Sequence, residues 1–150
     1  ALINEQQRGR MIEKITKEIG GLKGKTFAML GLSFKPNTND LRDAPALAIA
    51  QELTKQGATV RAYAPAALEE ACLIVSGLVP CKDAYEAAEG ADALILMTEW
   101  NQFRTLDFDR LKPLLRQPIF FDLRNVYEPD RVAAFGLRHI SVGRPSKAPS

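Results

Sequence analysis

Three short runs constrain this chain more than anything else in it: T-F-A-M-L (Thr26 to Leu30), A-L-I-L-M (Ala93 to Met97) and I-F-F (Ile119 to Phe121). The second is apolar throughout. It lacks the alternation of a strand with one wet face, so it reads as a strand buried on both sides. Such strands need a helical layer above and below, and helical patterns do stand between them. The fold class this implies is α/β, a Rossmann-like three-layer fold with a mainly parallel sheet. Right-handed crossovers then put every strand's carboxyl end on one edge.

Leu2 to Ile19 forms a helical pattern with Ile3, Met11, Ile12, Ile15 and Ile19 on one face, ended by Gly20 and Gly21. It has no capping residue in front, which predicts a helix that begins earlier than this chain. A second helix starts near Asp43, with Pro45 in its first turn, and stops at Gly57. Thr59 to Tyr63 is a strand, Pro65 to Val75 a helix broken by Gly77, and Val79 the start of a short strand. Asp83 to Glu89 is a brief helix. Asp107 caps another that contains Phe108, Leu111, Leu114 and Leu115. Glu128 to Phe135 is helical, Leu137 to Val142 is a last strand, and the Pro/Ser/Lys-rich 144–150 reads as a disordered tail.

Composition removes several function classes. A net charge of +2 is too small to suggest nucleic-acid binding by bulk charge. No apolar run approaches the ~20 residues needed to cross a bilayer, and Asn4 to Arg8 do not open a signal peptide. Cys72 and Cys81 lack the Cys-x-x-Cys spacing of a metal or redox site. They read as half-buried free thiols of a cytoplasmic protein. The single histidine, His139, has no second His or Cys to help it and reads as structural.

The polar residues gather after the strands. Ser33, Phe34, Lys35, Asn37, Asp40 and Arg42 follow the first strand, Thr98, Glu99 and Trp100 follow Met97, and Asp122, Arg124 and Asn125 follow Phe121. In an open α/β sheet, ligands bind beyond the carboxyl ends of the strands. Lys35 is a flexible point charge suited to phosphate or hydroxyl, and Arg124 a planar fork for phosphate or sugar oxygens. Phe34 suits a base or sugar face, and Arg42 a second anion. Rival readings stand beside these. Arg42 can pair with Asp40 or Asp43, Arg124 with Asp122, and Trp100 can be a packing anchor. Gly31-Leu32-Ser33 does not match G-x-G-x-x-G, and no G-x-x-x-x-G-K-[ST] is present, so side chains rather than a glycine cradle are expected to hold the ligand.

G-L-S-F-K-P-N-T-N-D-L-R-D-A-P (Gly31 to Pro45) resembles the signature opening the C-terminal domain of the UDP-glucose/GDP-mannose dehydrogenase family. T-E-W (Thr98 to Trp100) and F-D-L-R-N (Phe121 to Asn125) resemble two later signatures, in the family's order. I-N-E-Q-Q-R-G-R (Ile3 to Arg10) is similar to the end of the helix that joins the family's two domains. K-P-N-T looks most like the bacterial branch acting on UDP-glucose, and less like the GDP-mannose or UDP-N-acetylmannosamine branches.

The resemblance implies that residues 1–20 end an inter-domain, dimer-forming helix and that 21–143 are the UDP-sugar-binding domain. An N-terminal domain, absent from this sequence, would bind NAD and carry the catalytic cysteine. The family oxidises the sugar C6 alcohol to a carboxylate with two NAD, through a thiohemiacetal and a thioester. By the same resemblance Phe34, Lys35 and Arg124 contact the UDP-sugar and Arg42 the NAD side. The glycine-rich Cys-Phe-Pro-Lys-Asp segment is absent, so neither Cys72 nor Cys81 is the nucleophile and the chain alone is expected to be inactive. Two further departures are Ala64, where related chains carry Asp after Tyr63, and Asn39, where Asp is common. The rival functions are the same domain of a GDP-mannose or UDP-N-acetylmannosamine dehydrogenase, a non-catalytic nucleotide-sensing or oligomerisation module, and a self-sufficient NAD-binding domain.

Overall fold

Each apolar run becomes a strand because both of its faces are covered, and the covering helices come from the intervening patterns. The computed structural model describes residues 5–32, 45–98 and 103–141. In order these form α1 (Glu5–Ile19), β1 (Thr26–Leu30), α2 (Pro45–Lys55), β2 (Thr59–Tyr63), α3 (Leu68–Ile74), β3 (Val79–Pro80) and α4 (Ala84–Ala88). β4 (Ala93–Leu96), α5 (Phe108–Leu111), a 3₁₀ turn (Lys112–Leu114), β5 (Ile119–Asp122), α6 (Pro129–Ala134) and β6 (Arg138–Ser141) follow.

Among the described residues the sheet is six-stranded and parallel, in the order β3-β2-β1-β4-β5-β6. This is the doubly wound order in which the winding reverses between β1 and β4. One face carries Phe27, Met29, Val60, Ile95, Phe121 and Ile140 against α1, α2 and α3. The other carries Leu30, Leu94, Leu96 and Phe120 against α4, α5 and α6. Burying one such side chain completely contributes about 1.5–3 kcal/mol.

α1 contributes Met11, Ile15 and Ile19 to the same core as Phe121, Leu123 and Ile140. It is also tied to the edge strand β6: Lys14 Nζ donates to the Ser141 carbonyl at 2.6 Å, and Glu18 pairs with Arg138 at 2.6 Å.

Several sequence expectations shift, among them the end of β4, which falls at Leu96 rather than Met97. The helix expected from Pro65 begins only at Leu68, because Ala67 takes a left-handed backbone (φ 69°) and ends the turn after β2. Leu115 falls outside its expected helix, where Pro113 tightens the last turn into the 3₁₀ form. β5 extends one residue further, to Asp122. Cys81 is buried rather than half-buried, while Cys72 is partly exposed. Asp43 and the tail at 144–150 lie outside the described residues.

Candidate ligand-binding site

The register across the sheet sets the geometry of the site. Tyr63 lies opposite Leu30, Leu30 opposite Leu96, Leu96 opposite Asp122, and Asp122 opposite Ser141. Five strands therefore end in one row, and the loops after β1, β4 and β5 leave from the same edge. Only β4 separates β1 from β5, so Leu30 and Asp122 lie about 10 Å apart along the row. Of the candidate residues, Arg124 stands two positions beyond this row and is half-buried. Phe34, Lys35 and Arg42 lie outside the described residues, as do Asn37, Asp40, Glu99 and Trp100.

The switch point is tightly packed where it is described. Gly31 has φ +90°, and a Cβ built on it would come within 2.5 Å of Thr98 Cβ. Thr98 itself is fully buried. Only glycine combines that backbone with so close a neighbour. The N–H of Met97 donates to the Leu30 carbonyl at 2.9 Å, and that of Gly31 to the Tyr63 carbonyl at 2.8 Å. The described turn after β1 thus backs onto a side chain and offers no open glycine cradle for a pyrophosphate. The residue after β2 is a buried alanine, Ala64, where dinucleotide-binding folds of this order place a ribose-gripping acid. These residues do not fit NAD as a self-contained dinucleotide site.

The loop carrying Arg124 is organised by Asp122, the last residue of β5, whose side chain is wholly inaccessible. Its carboxylate accepts the N–H groups of Arg124 at 3.3 Å, Val126 at 3.0 Å and Tyr127 at 2.8 Å. His139 Nε2 lies 3.1 Å from Oδ2. Burial alone would raise this carboxyl, but the bonds from His139, Tyr127 and Val126 outweigh it and hold it below its ordinary value. The Asp122 oxygens are thus engaged by the loop backbone and by His139. This is a more specific role than the surface partner for Arg124 that the sequence left open.

Tyr127 joins the loops. Its hydroxyl accepts the Leu106 N–H at 3.1 Å and donates to the Phe103 carbonyl, fastening the segment after β4 to the segment after β5. Burial pushes this phenol up, partly offset by the Leu106 bond. The sequence reading missed both Tyr127 and the partnership of His139 with Asp122. The available signal was the acid closing an otherwise apolar I-F-F-D strand, because a buried carboxylate must find donors. Burial also raises the thiols of Cys72 and Cys81, so neither has the thiolate character of a nucleophile. Among the described residues no group of three or more His, Cys, Asp or Glu is placed to hold a metal ion. No described helix is long and apolar enough to cross a membrane.

A doubly wound parallel sheet whose described strands end along one switch-point edge defines an α/β domain of the Rossmann type. The chain belongs to the UDP-glucose/GDP-mannose dehydrogenase family, whose UDP binding domain matches residues 28–129. It is 48% identical over 144 residues to a UDP-glucose 6-dehydrogenase of Rhizobium meliloti (strain 1021), covering 95% of this chain and 33% of that protein. It is 41% identical to UDP-glucose 6-dehydrogenase TuaD of Bacillus subtilis (strain 168), covering 95% and 31%. The fold superposes on a UDP-glucose dehydrogenase from the hyperthermophilic archaeon Pyrobaculum islandicum with a TM-score of 0.66 at 30% identity, over 70% of this chain and 24% of that one. The chain therefore spans about a third of the length of the curated relatives it matches.

Proposed function

We propose that this chain is the UDP-sugar-binding portion of a UDP-glucose 6-dehydrogenase, which oxidises UDP-glucose to UDP-glucuronate with two NAD. The single row of strand ends carries this reading, because it starts the Lys35 and Arg124 loops from one edge on either side of β4. Phe34 packs on the nucleotide or sugar face, Lys35 neutralises phosphate or orients a sugar hydroxyl, and Arg124 grips oxygens from the far side. Arg42 faces the NAD side of the cleft. The hydride acceptor and the cysteine nucleophile belong to a second domain with its own dinucleotide site. Residues 1–20 form the end of a helix joining that domain to this one and contributing to a homodimer, and 21–143 form the ligand domain. Two unpaired, protonated thiols suit a reducing cytoplasm.

The test is kinetic. In the complete enzyme, Lys35→Ala and Arg124→Ala each remove a charged hydrogen bond of about 1.5–3 kcal/mol, so each lowers kcat/KM for UDP-glucose by about 10- to 150-fold. Unchanged kinetics in both variants would remove the site. Rates with GDP-mannose and UDP-N-acetylmannosamine well below those with UDP-glucose are expected, and the reverse order would reassign the sugar.

A further inference from the structure

We propose that Asp122 and His139 form a positioning pair that fixes the Arg124–Asn125 turn for ligand binding; the inference rests on the assignment of Arg124 to the ligand site. A carboxylate with no access to water is tolerable only when donors surround it. Asp122 takes most of its donors from the loop that follows it: the N–H groups of Arg124, Val126 and Tyr127, at 3.3, 3.0 and 2.8 Å. These bonds wrap residues 124–127 around a single acceptor. The turn they impose includes Asn125 at φ +54°, a left-handed conformation that Asn tolerates better than most residues. Arg124 lies within this turn, so the carboxylate sets where its side chain starts.

The remaining donor is not local. His139 comes from β6, is itself fully buried, and meets Asp122 Oδ2 through Nε2 at 3.1 Å. Its Nδ1 has no partner among the described residues, so the ring's proton belongs on Nε2, facing the carboxylate. The ring is braced edge-on against Phe120, with centroids 6.0 Å apart and planes at 77°. Its strand is held on both sides of it, by Arg138 on Glu18 and by Lys14 on the Ser141 carbonyl. The carboxylate rotamer is therefore set from a neighbouring strand that is itself clamped to α1. A loop that needed only to be satisfied could draw on water. One gripped from a braced strand holds a fixed geometry.

The experiment compares His139→Leu, which cannot donate, with His139→Gln, whose amide can reach Asp122, in the complete enzyme. His139→Leu should raise the inhibition constant for UDP and lower kcat/KM for UDP-glucose by about tenfold, with His139→Gln restoring both to within about threefold. In an Arg124→Ala background the His139→Leu effect should vanish, because the pair acts through that side chain. Amide hydrogen exchange at Val126 and Tyr127 should speed up in His139→Leu and recover in His139→Gln. If His139→Leu does not fold, His139→Asn, too short to reach, replaces it in the same comparison. Full additivity with Arg124→Ala, or unchanged exchange at Val126 and Tyr127, overturns the positioning role. If Arg124→Ala alone leaves UDP inhibition unchanged, the ligand-site assignment fails, and the exchange comparison still decides whether the pair holds the turn.

Discussion

At the scale of single residues, the switch point depends on Gly31 and the β5 loop on Asp122. Gly31→Ala would require a side chain at φ +90° with its Cβ 2.5 Å from Thr98 Cβ. Backbone strain and overpacking each cost about 1–3 kcal/mol, so a loss of about 2–6 kcal/mol is expected in urea unfolding. An unchanged midpoint would show that the turn after β1 accommodates a side chain beside Thr98. Asp122 gives the pH dependence. Its folded-state carboxyl lies below its ordinary value, so its stabilising contribution is complete above that value and is lost as pH falls through the lower folded one. The stability difference between the native chain and Asp122→Asn should therefore shrink as pH falls below the ordinary carboxylate value of about 4. A difference that stays constant across that range would mean the buried carboxylate does not titrate with folding.

At the scale of elements, the sequence was most legible where local chemistry decides the outcome. Asp107 reads as a helix cap and Asp83 as the start of a brief helix, and each accepts the N–H three residues on, from Arg110 at 3.2 Å and Glu86 at 2.7 Å. β1 and β2 fall where their apolar runs end. The start of α3 was not legible, because its left-handed residue is Ala67, and alanine carries none of the Gly or Asn signal for that backbone. Tyr127 was illegible for another reason: an aromatic residue in a loop reads as packing, and its hydroxyl's partners, Phe103 and Leu106, are far away in sequence. Tyr127→Phe keeps the ring's contacts with Phe108 and Phe120 but strands the Leu106 N–H and the Phe103 carbonyl. A buried group left unpaired costs about 1–3 kcal/mol. We expect a loss of that size in the unfolding free energy, with faster amide exchange at Leu106. Full stability in Tyr127→Phe would mean the two loops are held together by packing alone.

At the scale of the whole molecule, a strand order suited to dinucleotides coexists with residues that do not grip one. Gly31 backs onto Thr98, Ala64 follows the end of β2, and burial pushes both thiols up. The alternation of apolar runs and helices made the parallel sheet readable from sequence, whereas the use of its crevice depends on loops whose partners are set by tertiary contact. The proposed function fits such a crevice, because it has the ligand held by side chains from several loops and assigns the redox centre to another domain. The 150-residue chain, mixed with UDP-glucose and NAD, should therefore give no increase in NADH absorbance, while titration should show weak binding of UDP and still weaker binding of glucose. Weak binding is expected because the proposed function gives the other wall of the cleft to a second domain, and the preference for UDP because that reading has Lys35 and Arg124 answer to phosphate charge rather than to hydroxyls. Measurable NAD reduction would place a complete active site within these 150 residues, and equal affinity for UDP and glucose would mean that the charges at the sheet edge do not read the nucleotide.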